Sequence, residues 1–190
     1  MNVKVSDFIA NLVVKAGIRH VFMVTGGGAM HLNHSFGKHP ALTCIFNHHE
    51  QACAMAAESY ARLSRRMALV NVTTGPGGIN AMNGVFGAYT DSIPMLVISG
   101  QVRYDTTVQS TGLPLRQLGD QEFAGMVECA KTMTKYAVMV TDQNSIQYHL
   151  DKAIYLATQD SPGKEWIDIQ MNLQGAYLDK STLNPEFDNA

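Results

Sequence analysis

Short apolar runs alternate with segments of helical character along most of this 190-residue chain. The runs lie at His20–Val24, Leu42–Phe46, Met67–Thr73, Pro94–Ser99, Tyr136–Val140 and Trp166–Gln170. Strands that are apolar throughout and separated by helices are typical of a parallel sheet covered on both faces. The alternation therefore predicts an α/β fold, a three-layer, doubly wound, mostly parallel sheet with helices on both faces.

Capping and composition predict where the longer helices begin and end. Apolar spacing over Val5–Val14 indicates a helix that Gly17 can end in a left-handed cap. The Ala-rich segment Glu50–Leu63 strongly favours helix. Asp142 or the threonine before it is placed to cap another helix, which we expect to reach about Thr158.

The remaining segments predict a loop and the limits of the domain. Gly100–Asp120 is polar, has no clear period, and is predicted to form a loop over a site. Trp166–Gln170 is predicted to be the last strand. We predict one domain over residues 1–174, followed by a linker over residues 175–190 that leads toward a domain absent from this chain.

Composition excludes several classes of partner. A formal net charge of -2 gives no reason to expect nucleic acid or an anionic membrane surface as a partner. No stretch approaches the roughly 18 apolar residues that span a bilayer. Cys44, Cys53 and Cys129 are odd in number and widely spaced, which predicts buried free thiols in a reducing compartment. We therefore expect a cytoplasmic protein.

A first glycine cluster, Gly26-Gly27-Gly28, lies between an apolar run and a helical segment. Glycines there let the backbone approach a ligand and present helix amides to an anion. Two of them match the start of the dinucleotide-binding G-x-G-x-x-G pattern, and Glu50 follows about twenty residues later, where a ribose-binding acid would stand. His31 occupies the third glycine position and would crowd the helix. Nicotinamide binding and a purely structural turn both stay open.

Glu50 is predicted to begin a helix, where the exposed amides and the helix dipole favour a carboxylate. The small residues after it indicate close packing, so Glu50 would project from a buried element. An exposed first-turn glutamate is the simpler alternative. His48 and His49 are interpreted as a hydrogen-bonding pair, because no carboxylate or cysteine is spaced to complete a metal site with them. We predict no metal ligand in this chain.

A second glycine turn, Gly75-Pro76-Gly77-Gly78, again joins a strand to a helix. It could hold a phosphate, but it lacks the Lys-Ser/Thr ending of a P-loop, so triphosphate binding is not expected. The G-x-S-x-G elbow of serine hydrolases is absent as well. Two glycine turns and one carboxylate at strand ends of one sheet predict a cofactor crevice.

Several longer motifs occur in a fixed order: GIRHVFMVTGGG, HHEQACAMAAESYAR, TTGPGGINAMNGVFGAYTDSIPMLVISGQ, DQE at 120–122, TKYAV, and SPGKEWIDIQMNLQG. With them the chain resembles the N-terminal domain of acetolactate synthases, pyruvate oxidases, glyoxylate carboligases and related thiamine-diphosphate enzymes. The resemblance extends from about Val5 to Gln174, and the combination of motifs is highly specific. It implies the thiamine-diphosphate-binding fold, in its pyrimidine-binding form.

The resemblance implies two catalytic residues. Glu50 matches the family's glutamate, which hydrogen-bonds N1′ of the cofactor's aminopyrimidine and activates the cofactor. Such a carboxyl needs a dry pocket, because burial raises its pKa toward that of a weakly basic ring nitrogen. Gln121 matches a glutamine near the reacting centre, with Gln117 as a competing register.

The resemblance also implies the residues that bind the cofactor. Thr25, Gly26 and Gly27 align with the turn whose backbone lies against the pyrimidine. Pro76 and Asn80 align with the Gly-Pro-Gly turn and a pyrimidine-side contact. Glu50 completes this set.

The chain departs from the family at three places. Thr25 and Gln170 stand where many relatives have proline. Asp120 precedes Gln121, where an aromatic residue is usual. Because that wall shapes the acceptor pocket, the departure leaves the substrates open, and decarboxylation and carboligation of a 2-oxo acid both remain.

The family's Gly-Asp-Gly…Asn motif, which holds diphosphate and magnesium on a separate domain, does not occur here. The resemblance therefore implies half of each active site, with magnesium and the diphosphate bound by another domain of the same or a partner chain, in a homodimer or tetramer. FAD in the full-length protein cannot be inferred from these residues. The rival from another class is a non-catalytic binding or regulatory module that keeps the fold.

Overall fold

The computed structural model describes residues 2–113, 125–159, 162–185 and 187–188. Its strands are β1 (Asn2–Lys4), β2 (His20–Met23), β3 (Thr43–Phe46), β4 (Ala68–Val72), β5 (Met95–Gln101), β6 (Tyr136–Val140), β7 (Lys164–Gln170) and β8 (Tyr177–Asp179). The main sheet has six strands in the order β3-β2-β4-β5-β7-β6, and every neighbouring pair is parallel. A small antiparallel sheet pairs β1 with β8.

The helices are α1 (Val5–Lys15), α2 (Met30–Lys38), α3 (Glu50–Ser64), α4 (Pro76–Thr90), α5 (Val108–Thr111), α6 (Met126–Lys131), α7 (Ile146–Thr158) and α8 (Met171–Gly175). Local chemistry explains several ends. Gly17 follows α1 with φ +88°, a conformation that glycine adopts without strain. Asp142 accepts a hydrogen bond from the backbone N–H of Asn144 in the turn before α7.

Two apolar cores cover the two faces of the main sheet. One core contains the inner sides of α1, α2 and α7, and the other contains those of α3, α4 and α6. Successive strand residues alternate between the cores: Leu96 and Ile98 belong to the first, whereas Met95 and Val97 belong to the second. The predicted three-layer parallel fold is therefore confirmed.

The strand order also locates a crevice. From β2 the chain crosses to β3 on one side of β2, and it then returns to β4 on the other side. Ligands in such sheets bind beyond the carboxyl ends of the strands at the point where the winding direction changes. The carboxyl ends of β2 and β4 flank that point, and both glycine turns follow these two strands.

Two features differ from the sequence-based expectation. Trp166–Gln170 is not the last strand, because β8 follows it and pairs with β1. The segment predicted as a loop from Gly100 begins inside β5 and includes the short α5. Residues 114–120 of that segment lie outside the described part of the chain.

The structure tests two predictions made from composition, that the cysteines are buried free thiols and that no segment spans a membrane. All three cysteines are free thiols, but only Cys53 is buried, while Cys44 is half-buried and Cys129 is exposed. The expectation of three buried thiols is therefore correct for Cys53 alone and clearly wrong for Cys129, which lies on the exposed side of α6. Among the described helices, none is both long and apolar enough to cross a membrane.

Candidate cofactor site

Thr73, directly after β4, lies beneath both glycine turns. A Cβ placed on Gly26 would lie 2.5 Å from the Thr73 Cβ, and one on Gly77 would lie 2.8 Å from the Thr73 Cγ2. The Thr73 hydroxyl oxygen also accepts a hydrogen bond of 3.1 Å from the backbone N–H of Gly28. Thr73 therefore requires glycine on both turns and packs them against each other.

Gly27 differs from its neighbour Gly26, since a Cβ placed on Gly27 would meet no atom within 4 Å. Its backbone conformation is not one that demands glycine, because its φ is not positive. Nothing in the described part of the chain therefore requires glycine at this position. A glycine that the fold itself does not require exposes bare backbone, and a flat ligand ring can approach such backbone closely.

Two side-chain amides hold the carbonyl groups of the first turn. Asn33 donates to the carbonyl oxygen of Gly26 at 3.2 Å, and its own oxygen accepts from the Asn71 amide at 2.7 Å. Gln174, fully buried on α8, donates to the carbonyl oxygen of Gly28 at 2.7 Å. These bonds leave the turn little freedom, so its outer surface is preorganised.

Glu50 is the first residue of α3. His49 precedes it as the N-cap, and the His49 ring accepts a hydrogen bond from the backbone N–H of Gln51. The Glu50 carboxylate accepts a 3.0 Å hydrogen bond from the Asn80 amide on the facing helix. The other carboxylate oxygen lies 3.4 Å from where a Gly77 Cβ would be. Glu50 is half-buried and sits beside the second glycine turn.

Small residues let α3 and α4 bring Glu50 and Asn80 together. A Cβ on Gly84 would lie 2.5 Å from the Ala54 Cβ, so the two helices touch through bare backbone. Further along the same face, the Cys53 thiol is buried, and burial raises its pKa to about 11. A neutral thiol therefore lies one turn after Glu50.

A cavity of about 300 Å³ lies beside the first turn. Its lining includes Gly27, Gly28, Thr74, Val102 and Arg103. It opens at the carboxyl edge of the sheet, where the sequence predicted a crevice. Among the described residues, no group of three or more His, Cys, Asp or Glu side chains could hold a metal ion.

The structure brings most of the predicted site residues to this edge. Glu50 and Asn80 are in contact, and Gly26 and Gly27 lie on the adjoining turn. Pro76 is the first residue of α4 and is exposed, as is Thr25, which precedes the first turn. Gln121 and its competing register Gln117 both lie outside the described residues.

Sequence reasoning missed three residues that hold the first glycine turn: Thr73, Asn33 and Gln174. Thr73 could have been found, because it directly follows the apolar run of β4 and a β-branched residue there must contact what crosses the strand end. Asn33 is separated from Gly26 by only seven residues, but nothing in the pattern marks its direction. Gln174 contacts Gly28 across 146 residues, and no local pattern indicates such a contact.

Fold and crevice together define a cofactor-binding α/β domain. Comparison with known proteins gives the family: the model of the thiamine pyrophosphate enzyme, N-terminal TPP binding domain, matches residues 3–126. The chain belongs to this family.

Curated relatives agree with this assignment. The chain is 32% identical over 173 residues to acetolactate synthase 2, chloroplastic, of Zea mays, covering 90% of this chain and 25% of that protein. It is 30% identical over 173 residues to acetolactate synthase, chloroplastic, of Arabidopsis thaliana, covering 90% of this chain and 24% of that protein. It is 32% identical over 184 residues to the acetolactate synthase large subunit of Haemophilus influenzae, covering 94% of this chain and 29% of that protein. The chain thus spans about a quarter of the length of the relatives it matches.

Proposed function

We propose that this chain forms the pyrimidine-binding half of the active site of a thiamine-diphosphate-dependent enzyme that acts on a 2-oxo acid, with Glu50 activating the cofactor. The observation that carries the proposal is the position of the Glu50 carboxylate. It lies beside two glycine turns at the carboxyl edge of the sheet, and Asn80 holds one of its oxygens at 3.0 Å.

The residues present fit an aminopyrimidine ring. Gly27 offers backbone with no neighbour within 4 Å of its Cβ position, so a flat ring can lie against it. Among the described residues, Asn80 is the hydrogen-bond partner of the Glu50 side chain. Because Asn80 donates to one oxygen, the second oxygen is available to share a proton with N1′ of the ring.

Each residue then has a defined task. When bound, thiamine diphosphate supplies the group that attacks a carbonyl and accepts the electrons released by decarboxylation. Glu50 holds a proton at N1′, and Asn80 fixes the direction of its carboxylate. Thr73 and the two glycine turns provide the surface on which the ring rests. We propose Gln121, with Gln117 as the alternative register, as the residue near the reacting centre, and Thr25 and Pro76 as edges of the pyrimidine pocket.

The other half of the site is proposed to lie on a pyrophosphate-binding domain of the same or a partner chain, which would hold magnesium. We propose a homodimer or tetramer as the assembly. Large apolar side chains are exposed on the outer face of α3 and α4, among them Met55, Ile79 and Phe86, at 43%, 46% and 55%. A cluster of this kind on two adjacent helices supports contact with a second subunit, which would also exclude water from Glu50.

Further parts of the proposal concern the whole protein. We propose that residues 175–190 lead toward the second domain and that the protein is cytoplasmic, which the three free thiols support. The plant relatives carry the word chloroplastic in their names, so fractionation of the source cells tests the compartment. Flavin absorbance of the purified full-length protein tests for FAD.

The decisive experiment uses the full-length protein and measures thiamine-diphosphate binding by calorimetry with magnesium, together with turnover of pyruvate and other 2-oxo acids. Glu50→Gln is expected to bind the cofactor and to lower kcat by at least about a hundredfold, as for loss of a proton-transferring group. Glu128→Gln, an exposed carboxylate on α6, is the matched control and should behave as wild type. Wild-type protein that binds no cofactor, or unchanged turnover in Glu50→Gln, would contradict the proposal.

A further inference from the structure

A chain of buried polar side chains crosses the sheet directly beneath the site. Its members are Thr74, Ser99, Gln101, Trp166 and Asp168, and each is at most 6% exposed. Thr74 lies in the turn just after β4, and the other four residues lie on the adjacent strands β5 and β7. Polar groups in the centre of a parallel sheet lose their hydration, so each must be compensated by a hydrogen bond.

Donors converge on the carboxylate of Asp168 from two sides. The Ser99 hydroxyl donates to one oxygen at 2.5 Å, and the Gln101 amide donates to the other at 3.2 Å. The hydroxyl oxygen of Ser99 in turn accepts from the indole N–H of Trp166 at 2.8 Å. Both oxygens of Asp168 are acceptors in these contacts, which fixes the direction of the bonds from Ser99 and Gln101.

The orientation of the Gln101 amide follows from this. Its NH₂ group points to Asp168, so its carbonyl oxygen must point to the opposite side. There it accepts from the Thr74 hydroxyl at 2.5 Å and from the backbone N–H of Val102 at 2.9 Å. With the amide reversed, its NH₂ group would face the backbone N–H of Val102, which can only donate, and that bond would be lost.

Thr74 connects this chain of bonds to both glycine turns. Its carbonyl oxygen accepts from the backbone N–H of Gly77 at 3.3 Å, at the start of α4. Its Cγ2 lies 3.1 Å from where a Cβ on Gly28 would be. Glu50 itself is held from α4 through Asn80. A shift of Thr74 would therefore move the surface on which the cofactor is proposed to rest.

We propose that Asp168 is a positioning residue for the cofactor site. It fixes the orientation of the Gln101 amide, the amide holds Thr74, and Thr74 holds the two glycine turns. Asp168 touches neither cofactor nor substrate in this scheme. The inference rests on the proposed function, since it deepens the description of the same site.

The test exchanges donor and acceptor between Gln101 and Asp168 in the full-length protein. Asp168→Asn leaves a single carbonyl oxygen where the Ser99 hydroxyl and the Gln101 amide both need an acceptor, and Gln101→Glu places a carboxylate against Asp168. The double variant restores one donor facing one acceptor, and the new carboxylate at position 101 would still accept from Thr74 and from Val102. Each single variant is expected to weaken thiamine-diphosphate binding about tenfold, as for one buried hydrogen bond, with kcat at saturating cofactor nearly unchanged. The double variant is expected to recover to within about threefold of wild type.

A variant that loses stability in general would lose kcat together with affinity, so weaker binding at unchanged kcat separates the positioning role from partial unfolding. Wild-type affinity in Asp168→Asn, or a double variant no better than the product of the two single effects, would overturn the inference. Should Asp168→Asn fail to fold, Thr74→Val gives the answer, because it removes one donor and keeps the shape. It is expected to bind the cofactor about three- to tenfold more weakly, and wild-type affinity there would overturn the inference.

The outcomes of these experiments distinguish failure of the proposed function from failure of the role of Asp168. A wild-type protein that binds no thiamine diphosphate overturns both the proposed function and the role of Asp168. Cofactor binding by wild type, with loss of turnover in Glu50→Gln but no effect of Asp168→Asn, overturns the role of Asp168 alone.

Discussion

The two ends of β7 carry buried carboxyl groups in opposite conditions. Toward the crevice, Asp168 accepts hydrogen bonds from Ser99 and Gln101. Toward the other end, Glu165 is also fully buried, yet neither of its carboxyl oxygens has a hydrogen-bond partner among the described residues. Burial raises the pKa of Glu165 to about 8, and the nearby Tyr136 backbone, Lys135 and Lys164 only partly offset it. The buried carboxyl group at the crevice end is part of a hydrogen-bonded network, whereas the one at the opposite end lowers the stability of the fold.

Removing the organised carboxylate should have the largest effect on stability. Asp168→Ala leaves the Ser99 hydroxyl and the Gln101 amide buried without their acceptor. We expect a loss of about 4 kcal/mol in the free energy of unfolding at pH 7. Urea denaturation followed by circular dichroism measures it. A loss below about 1 kcal/mol would mean that the donors find other acceptors, and the contrast between the two ends would disappear.

Removing the unsatisfied carboxyl should have the opposite sign and depend on pH. The folded protein holds the Glu165 proton up to about pH 8, whereas an unfolded glutamate releases it near its ordinary pKa of 4.5. Wild-type stability from this group is therefore complete below about pH 4.5 and is lost as the pH rises to about 8. Glu165→Gln lacks this dependence and should be more stable than wild type by about 3 kcal/mol at pH 7, with little difference at pH 4.5.

Thermal unfolding of the two proteins across this pH range measures that difference. Glu128→Gln, at an exposed glutamate, is the control and should follow wild type at every pH. A constant difference between Glu165→Gln and wild type would show that Glu165 is ionised in the folded protein.

Within the crevice end, the adjacent glycines Gly26 and Gly27 differ in what surrounds them. Gly26→Ala is expected to destabilise the fold by about 2 kcal/mol, because the new methyl group would overlap the Thr73 side chain. Denaturant titration measures the loss. An undisturbed Gly26→Ala would mean that Thr73 can move away from the turn.

Gly27→Ala should have the smallest effect on stability, within about 0.5 kcal/mol, because its Cβ position is open. If the pyrimidine rests on this turn, the same variant should nevertheless weaken thiamine-diphosphate binding by the full-length protein. Calorimetry measures that affinity. Unchanged affinity would place the ring elsewhere and leave Gly27 without a role in binding.

The sequence was sufficient for the main sheet because each of its six strands contains a short apolar stretch whose pattern is local. It was insufficient for β1 and β8, which are three residues long and only partly buried. Their pairing joins positions near the two ends of the chain, so no local pattern indicates it. Solvent-exposed polar residues such as Asn2 and Asp179 fit a strand no better than a loop.

The site divides in the same way. Glu50 and the glycine turns could be predicted because they follow strand ends and match a family pattern. Gln101 and Asp168 lie within apolar strands, and their partners are set by sheet register, with Ser99 opposite Asp168 and Gln101 opposite Gln170. Register across strands is a property of the folded sheet, so the hydrogen bonds of Asp168 could be found only in three dimensions.

The pairing of β1 with β8 has a mechanical consequence. Asn2 lies opposite Asp179 and Lys4 opposite Tyr177, so both chain ends leave the small ladder on the same side. A force that pulls Asn2 and Asp179 apart would load the bonds of this ladder one after another, as in opening a zipper. Bonds loaded singly yield at low force, and the six-stranded sheet behind them would stay intact. The small sheet would therefore open before such a force reaches the crevice.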